Sequence, residues 1–372
     1  MPRTIRTPLC DLLGIDVPIL QAGMGRGVGS TTSVEMVAAV SNAGGLGCLG
    51  ATGFSEEQLR DHIARIRALT DKPFGVDLLL PANLADGDVP REGIRDKVRT
   101  DYPQHWGMVM SLYEQHGLDK SVQHPNEWAI SPTLMRRQAE IVVEEKVPVL
   151  VSALGDPGFI SGAAHDAGMT VMGITGSPRN AARQVAAGCD VVIAQGTEAG
   201  GHTGTIATLA LVPQIVDQVA PVPVVAAGGI ADGRGVAAAL ALGAQGVWVG
   251  TAFLFSHEAN LFEAQREQLQ RAEARDMIAG TSYTGKPSRI YQNEVAKAWA
   301  ESGLTPLPMP YQTVIMDDFN WAAEVAGQHH LIQNPGGQIT GLLRERRSSA
   351  DIVRDLAEGA AQVIEGIGGY AV

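Results

Sequence analysis

The chain has 372 residues, 45% of them hydrophobic, which suffices for one large core of ~250 residues plus an accessory part. Forty acidic against 28 basic residues give a formal charge of −12 with no Lys/Arg run to offset it, which argues against nucleic acid or an anionic lipid surface as partner. Cys10, Cys48 and Cys189 are far apart and in no C-x-x-C spacing, so neither a disulfide framework nor a zinc site is supported. The start MPRTIRTPLC lacks an apolar leader and no run of 18 apolar residues occurs, so the expectation is a cytoplasmic protein, neither exported nor inserted in a membrane.

Val17 to Ala22 (VPILQA) reads as a short buried strand that stops at Gly23-Met24-Gly25, and Thr31 to Ala43 as the helix that follows. Strand Leu46 to Leu49, helix Ser55 to Leu69 and strand Phe74 to Leu79 repeat the unit at a period of about 28 residues, as expected for βα units. Leu80 to Pro132, rich in Pro, Gly, Asp and His, breaks the period. It reads as an insertion leaving the third strand at its carboxyl end, hence as a lid or substrate wall over the ligand face, with Trp106 and Trp128 arguing that part of it packs.

Regularity returns with helix Leu134 to Glu145, strand Val147 to Val151, helix Pro157 to Ala167, strand Thr170 to Ile174 and helix Ser177 to Ala187. Strand Val191 to Ala194, helix Leu209 to Val219, strand Val222 to Ala227, helix Gly233 to Leu242 and strand Gly246 to Val249 follow. Eight such alternations with right-handed crossovers predict a (β/α)8 TIM barrel, a doubly wound open sheet being the runner-up. After Thr251 helices are expected at Glu258 to Ile278, Tyr291 to Ala300, Asp318 to Val325 and Ser349 to Ile364, with Pro306, Pro308 and Pro310 marking a loop. The expected division is a barrel over 1–255 carrying the lid-like insertion 80–132, a small helical C-terminal subdomain over 256–348, and a final helix, 349–372, packing back as the barrel's eighth outer helix.

Ligands of parallel α/β sheets bind at the carboxyl ends of the strands. There the sixth strand ends in Gln195-Gly196, and the sequence runs on to Gly200-Gly201-His202: bare backbone able to approach a flat ring or an oxyanion, and one titratable imidazole. An isolated loop histidine usually only bonds its neighbours, but this location favours a catalytic His202. Gly228-Gly229 after the seventh strand, and Val249-Gly250-Thr251 after the eighth, stand at the turns where barrels hold a phosphate with backbone donors. A ring of FMN size placed from there reaches Gln21 to Met24 and Gly200 to His202. Gly45 to Gly50 matches G-x-G-x-x-G literally, but a helix precedes it and a strand lies inside it, the reverse of the dinucleotide-binding context.

PILQAGMG, NAGGLG, PFGVDLL, AQGTEAGGHTG, AAGGI and VGTAFL, with Ala326-Gly327-Gln328 in the tail, resemble the nitronate monooxygenases, formerly called 2-nitropropane dioxygenases. The resemblance implies an FMN-containing barrel oxidising alkyl nitronates with O2 to carbonyl compounds and nitrite. It places FMN on Asp77, Gln195, Gly200, Gly229, Trp248, Val249, Gly250 and Thr251, sets Gln21, Ala22, Gly23 and Met24 against the ring, and makes His202 the catalytic histidine; Gly201 and Gly228, read above from the two glycine turns, complete the expected cofactor set. Neutral nitroalkanes are a further substrate class if His202 acts as a base. The family often has Asn where this chain has Asp77, so either Asp77 is protonated, or it points elsewhere, or the redox behaviour differs. The rival readings are an FMN-dependent enoyl-acyl carrier protein reductase using NAD(P)H and a non-catalytic flavin-binding barrel. The partners expected are a small nitronate and O2; a homo-oligomer is compatible with the sequence.

Overall fold

A computed structural model gives the fold and describes residues 4–26, 29–80 and 84–369. Positions 81–83 of the expected insertion therefore lie outside the described residues.

The β-branched runs become strands. In chain order they are β1 (Ile19–Gln21), β2 (Gly47–Gly50), β3 (Phe74–Leu79), β4 (Val149–Ala153), β5 (Thr170–Thr175), β6 (Val191–Gln195), β7 (Gly201–His202), β8 (Val224–Ala227), β9 (Gly246–Val249), β10 (Met277–Gly280) and β11 (Ser288–Tyr291). Eight of them form one parallel sheet in the order β1-β9-β8-β6-β5-β4-β3-β2. A parallel bridge from Leu20 to Leu46 brings β1 against β2, and the Gln21 amide donates to the Leu46 carbonyl at 2.9 Å. The sheet thus closes on itself, and the barrel prevails over the open sheet.

Period-two alternation decides what each strand buries. Val191 and Ile193 pack inside with Val149, Val151, Val225 and Trp248, whereas Val192 and Ala194 face Leu211, Val212 and Ile215 of the helix Thr208–Val219. Leu9, Cys10 and Leu13 of the short helix Pro8–Leu13 join the inner set. They plug the amino ends of the strands: at Gly246, which opens β9, a Cβ would come within 2.7 Å of Leu9 Cδ2. Access is left at the carboxyl ends. The helix Ser349–Gly368 packs between Gly233–Ala241 and Val34–Asn42, where Gly233 comes so close that a Cβ would sit 2.2 Å from the Gly359 backbone.

Two stretches differ from the sequence-based expectation. The insertion contains two helices, Arg91–Asp101 and Pro103–Gln115, missed because the first has only Ile94 and Val98 as apolar residues. They bury Ile94, Val98, Val109 and Leu112 in one core with Trp299, Val314, Ile315 and Phe319 from the tail. The buried Arg95 guanidinium donates to both carboxylate oxygens of Asp318 at 2.7 and 2.9 Å. Insertion and tail thus stand over the barrel mouth as one packed body.

The second difference lies in the tail. The helix expected over Glu258 to Ile278 is confined to Glu263–Arg271, and Met277–Gly280 is a strand; Tyr291 ends another strand rather than opening a helix, which starts at Glu294. β10 pairs antiparallel with β11, and β11 with β7, placing Ser288 opposite His202 and Arg289 opposite Gly201. A two-residue strand has no periodicity of its own. It exists because the tail supplies its partner.

Candidate active site

The carboxyl ends of the barrel strands and the body above them enclose a cavity of about 1420 Å³. That exceeds the ~300–1,000 Å³ usual for one small ligand. Of the residues the sequence pointed to, Ala22, Gly23, Met24, Asp77, Gln195, Gly200, Gly201, His202, Gly228, Gly229, Trp248, Val249, Gly250 and Thr251 all line it. Gln21 does not. It is fully buried, its amide donating to the Ala22 carbonyl and its Oε1 accepting from the Cys48 amide at 3.0 Å, so it braces the β1–β2 seam with no group left for a ligand.

The turn after β1 is shaped by Gly23, where a Cβ would lie 2.5 Å from Asp77 Cβ; no other residue lets this turn meet β3. Asp77 is buried, and among the described residues its Oδ1 has no hydrogen-bond partner. Burial holds its carboxyl well above the usual carboxylate range, and burial followed by the nearby Asp77 pushes the Cys48 thiol up as well. Asp77 is thereby biased toward the protonated form and offers the donor-plus-acceptor pair of an asparagine amide.

On the opposite side, Gly228 and Gly229 take φ of +97° and +71°, and Gly201 +71°, left-handed values that glycine adopts without strain. Among the described residues the amides of Gly200, Gly228 and Gly229 have no acceptor, so they remain available to a ligand. The helix after β8 offers less than expected: Asp232 caps it by accepting from the Arg234 amide at 2.9 Å, so its N-terminus already faces an anion. Thr251 accepts from the Gly337 amide at 2.9 Å, which leaves its hydroxyl proton free to donate.

The segment from Gln195 to His202 is fixed from several directions. Gln195 Nε2 donates to the His202 carbonyl at 2.6 Å, and Arg289 Nε to the Thr197 carbonyl at 3.0 Å. The Glu198 carboxylate accepts from the Thr208 amide at 3.0 and 3.1 Å. Gly200 lies against Gly336, whose Cα a Cβ at 200 would approach to 2.7 Å. Such bracing holds a catalytic side chain in place before any ligand arrives.

His202 Nε2 stands 3.1 Å from Thr284 Oγ1, and that hydroxyl donates its single proton to the Lys286 carbonyl at 3.1 Å. Thr284 is therefore an acceptor toward His202, which fixes the proton on Nε2. Among the described residues Nδ1 bonds to no protein group, and it is not sealed from solvent, so it presents a lone pair to the cavity. Burial, with the Lys286 charge adding to it, brings the imidazole pKa down to about 4, so His202 is neutral near pH 7.

Sequence reasoning passed over Thr284, Lys286 and the Pro335-Gly336-Gly337 turn. The last carried a signal, a Pro-Gly-Gly punctuation; the first two acquire meaning only through the pairing of β11 with β7.

The nitronate monooxygenase family model matches residues 6–359. A protein of Mycobacterium tuberculosis whose name gives it as a putative monooxygenase is 36% identical over 95% of this chain and 96% of its own. A protein of Staphylococcus haemolyticus named as a probable nitronate monooxygenase is 33% identical over 89% of this chain and 90% of its own. Among solved structures, nitroalkane oxidase from Streptomyces ansochromogenes superposes with a TM-score of 0.80 at 29% identity, covering 96% of this chain and 99% of that one. FabK from Thermotoga maritima does so at 0.75 and 30%, covering 99% and 100%. With a family model matching almost its whole length and relatives this similar, the chain belongs to the nitronate monooxygenase family.

Proposed function

We propose that this protein is an FMN-dependent enzyme that oxidises small alkyl nitronates with O2 to the carbonyl compound and nitrite. The observation that carries the reading is His202, held by Thr284 through Nε2 with Nδ1 open to the cavity whose wall also carries the bare amides of Gly200, Gly228 and Gly229. Family membership implies a flavin and a small-molecule substrate. The amides of Gly228 and Gly229 and the Thr251 hydroxyl are donors suited to one terminal phosphate; Gly200, Gly201, Ala22, Gly23 and Met24 suit a flat ring. A protonated Asp77 suits a ring edge where a carboxylate would oppose negative charge. When bound, the flavin supplies the electron acceptor that side chains lack.

The chain's own groups bind, orient and shield. Pocket walls such as Ile174, Trp248 and Val249 exclude water, and the braced segment 195–202 holds His202 against the place where the reacting carbon must lie. An imidazole with a pKa of about 4 is a weak base for removing a carbon-bound proton at neutral pH, because catalytic efficiency falls as a base departs from the working pH. This favours the pre-formed nitronate over the neutral nitroalkane as substrate, with His202 orienting it.

The test is purification of the yellow protein, identification of the released flavin, and anaerobic mixing with ethyl nitronate followed by O2. Bleaching by the nitronate and later nitrite release are expected; FAD in place of FMN, or no nitrite, overturns the reading. Rapid bleaching by NADPH instead would assign the reductase chemistry.

A further inference from the structure

A neutral histidine raises the question of what meets the substrate's negative charge. Among the described residues four Lys and Arg side chains line the cavity: Arg26 pairs with Glu324 at 3.0 Å, Arg91 with Asp317 at 2.8 Å, Arg183 lies exposed on its helix, and Lys286 is the fourth. Lys286 is half-buried, and among the described residues its Nζ has neither a carboxylate within 4.0 Å nor any hydrogen-bond acceptor. In a chain of net charge −12, an ammonium left without a carboxylate inside a ligand cavity is a placed charge.

Its position follows from the small sheet. Ser288 is directly opposite His202, and the ladder continues with the Thr203 amide donating to the Pro287 carbonyl at 3.3 Å. Lys286 stands in the bend that leads into this strand, lines the same cavity as the His202 ring, and its charge adds to the lowering of the imidazole pKa. The turn bearing Lys286 is rigid. Gly285 takes φ +73°, and a Cβ there would strike the Leu307 carbonyl at 2.2 Å; the Thr284 carbonyl accepts from Thr313 Oγ1 at 3.2 Å.

We propose that Lys286 is the anion-binding residue of this site, its ammonium receiving the nitro-group oxygens of a planar alkyl nitronate while His202 Nδ1 faces the adjoining carbon. The substrate class is thereby anionic, and Lys286 adds a binding preference for the nitronate to the one that the weak basicity of His202 already gives. The assignment of the anion as a nitronate rests on the function proposed above; the anion site itself does not.

The experiment uses the flavin-loaded protein, titrated with nitrate as an inert planar anion and followed by the fluorescence of the cavity tryptophans Trp128, Trp248 and Trp321. Lys286→Met should weaken nitrate binding about 10- to 100-fold, the scale of one hydrogen bond to a charged group. Its KM for ethyl nitronate should rise in parallel while KM for nitroethane and flavin content stay level, and Lys286→Arg should recover most of the loss. Since Nζ bonds to nothing among the described residues, neither change orphans a partner there. Unchanged nitrate affinity in Lys286→Met, or a loss of flavin in place of a loss of anion affinity, overturns the proposal. Lys286-dependent nitrate binding in a protein that yields no nitrite from any nitronate would keep the anion site and reject the nitronate reading.

Discussion

Replacing Asp77 with Asn exchanges a carboxyl for an amide of nearly the same shape at a buried position where Oδ1 has no partner among the described residues. The unfolded carboxyl ionises near its ordinary value of 3.8, whereas burial raises the folded value well above that. Above pH 3.8 the native state therefore retains a proton that the unfolded state has released, and stability falls as pH rises, by up to about 1.4 kcal/mol per pH unit, until the folded carboxyl also ionises. The amide of the variant does not titrate, and the unpartnered atom costs about 1–3 kcal/mol in either protein, so that part cancels in the comparison. The advantage of Asp77→Asn should thus widen steadily as pH rises above 3.8, until the folded carboxyl ionises as well. Urea unfolding of flavin-free wild type and variant at pH 5, 6, 7 and 8 measures it. Parallel stability curves would refute the reasoning, since they would mean that Asp77 ionises in the native state as readily as in the unfolded chain.

Thr284→Val removes the acceptor of His202 Nε2–H and should cut kcat with ethyl nitronate roughly fivefold, the equivalent of about 1 kcal/mol, with flavin content intact and Thr284→Ser restoring activity. Gly200→Ala should lose flavin, because its Cβ would lie 2.6 to 2.8 Å from the Gly336 and Gly337 backbone and push that turn off the segment 195–202; the flavin-to-protein absorbance ratio reports it. Arg95→Met leaves Asp318 buried with its strongest partner gone and should cost about 3–5 kcal/mol, seen as a lowered Tm. For His202→Asn, equal defects with ethyl nitronate and nitroethane are expected if the residue orients substrate; a much larger defect with nitroethane, read as initial nitrite release, would restore the general-base role.

The barrel was legible in the sequence because its signals are local. Val191-Val192-Ile193 and Val224-Val225 are buried in the sheet, glycine pairs stand at the strand ends, and the spacing of the units leaves one closed arrangement. Those signals also located most of the cavity wall, since in a barrel the carboxyl end of each strand is the mouth. Gln21 lies off the cavity wall for the complementary reason: a motif fixes which residue follows a strand, but only the packed seam shows its amide engaged with Ala22 and Cys48. The insertion helix Arg91–Asp101 offers too few apolar residues to announce itself and is held by Asp318, 223 positions away. The electrostatics of the site are likewise tertiary. His202 meets Thr284 across 82 positions through a strand pairing that neither segment encodes alone, and its neutral state follows from burial and from Lys286. Local pattern selects an element and its face, whereas a proton's position and a charge's partner depend on which distant backbones the folded core brings within hydrogen-bond reach.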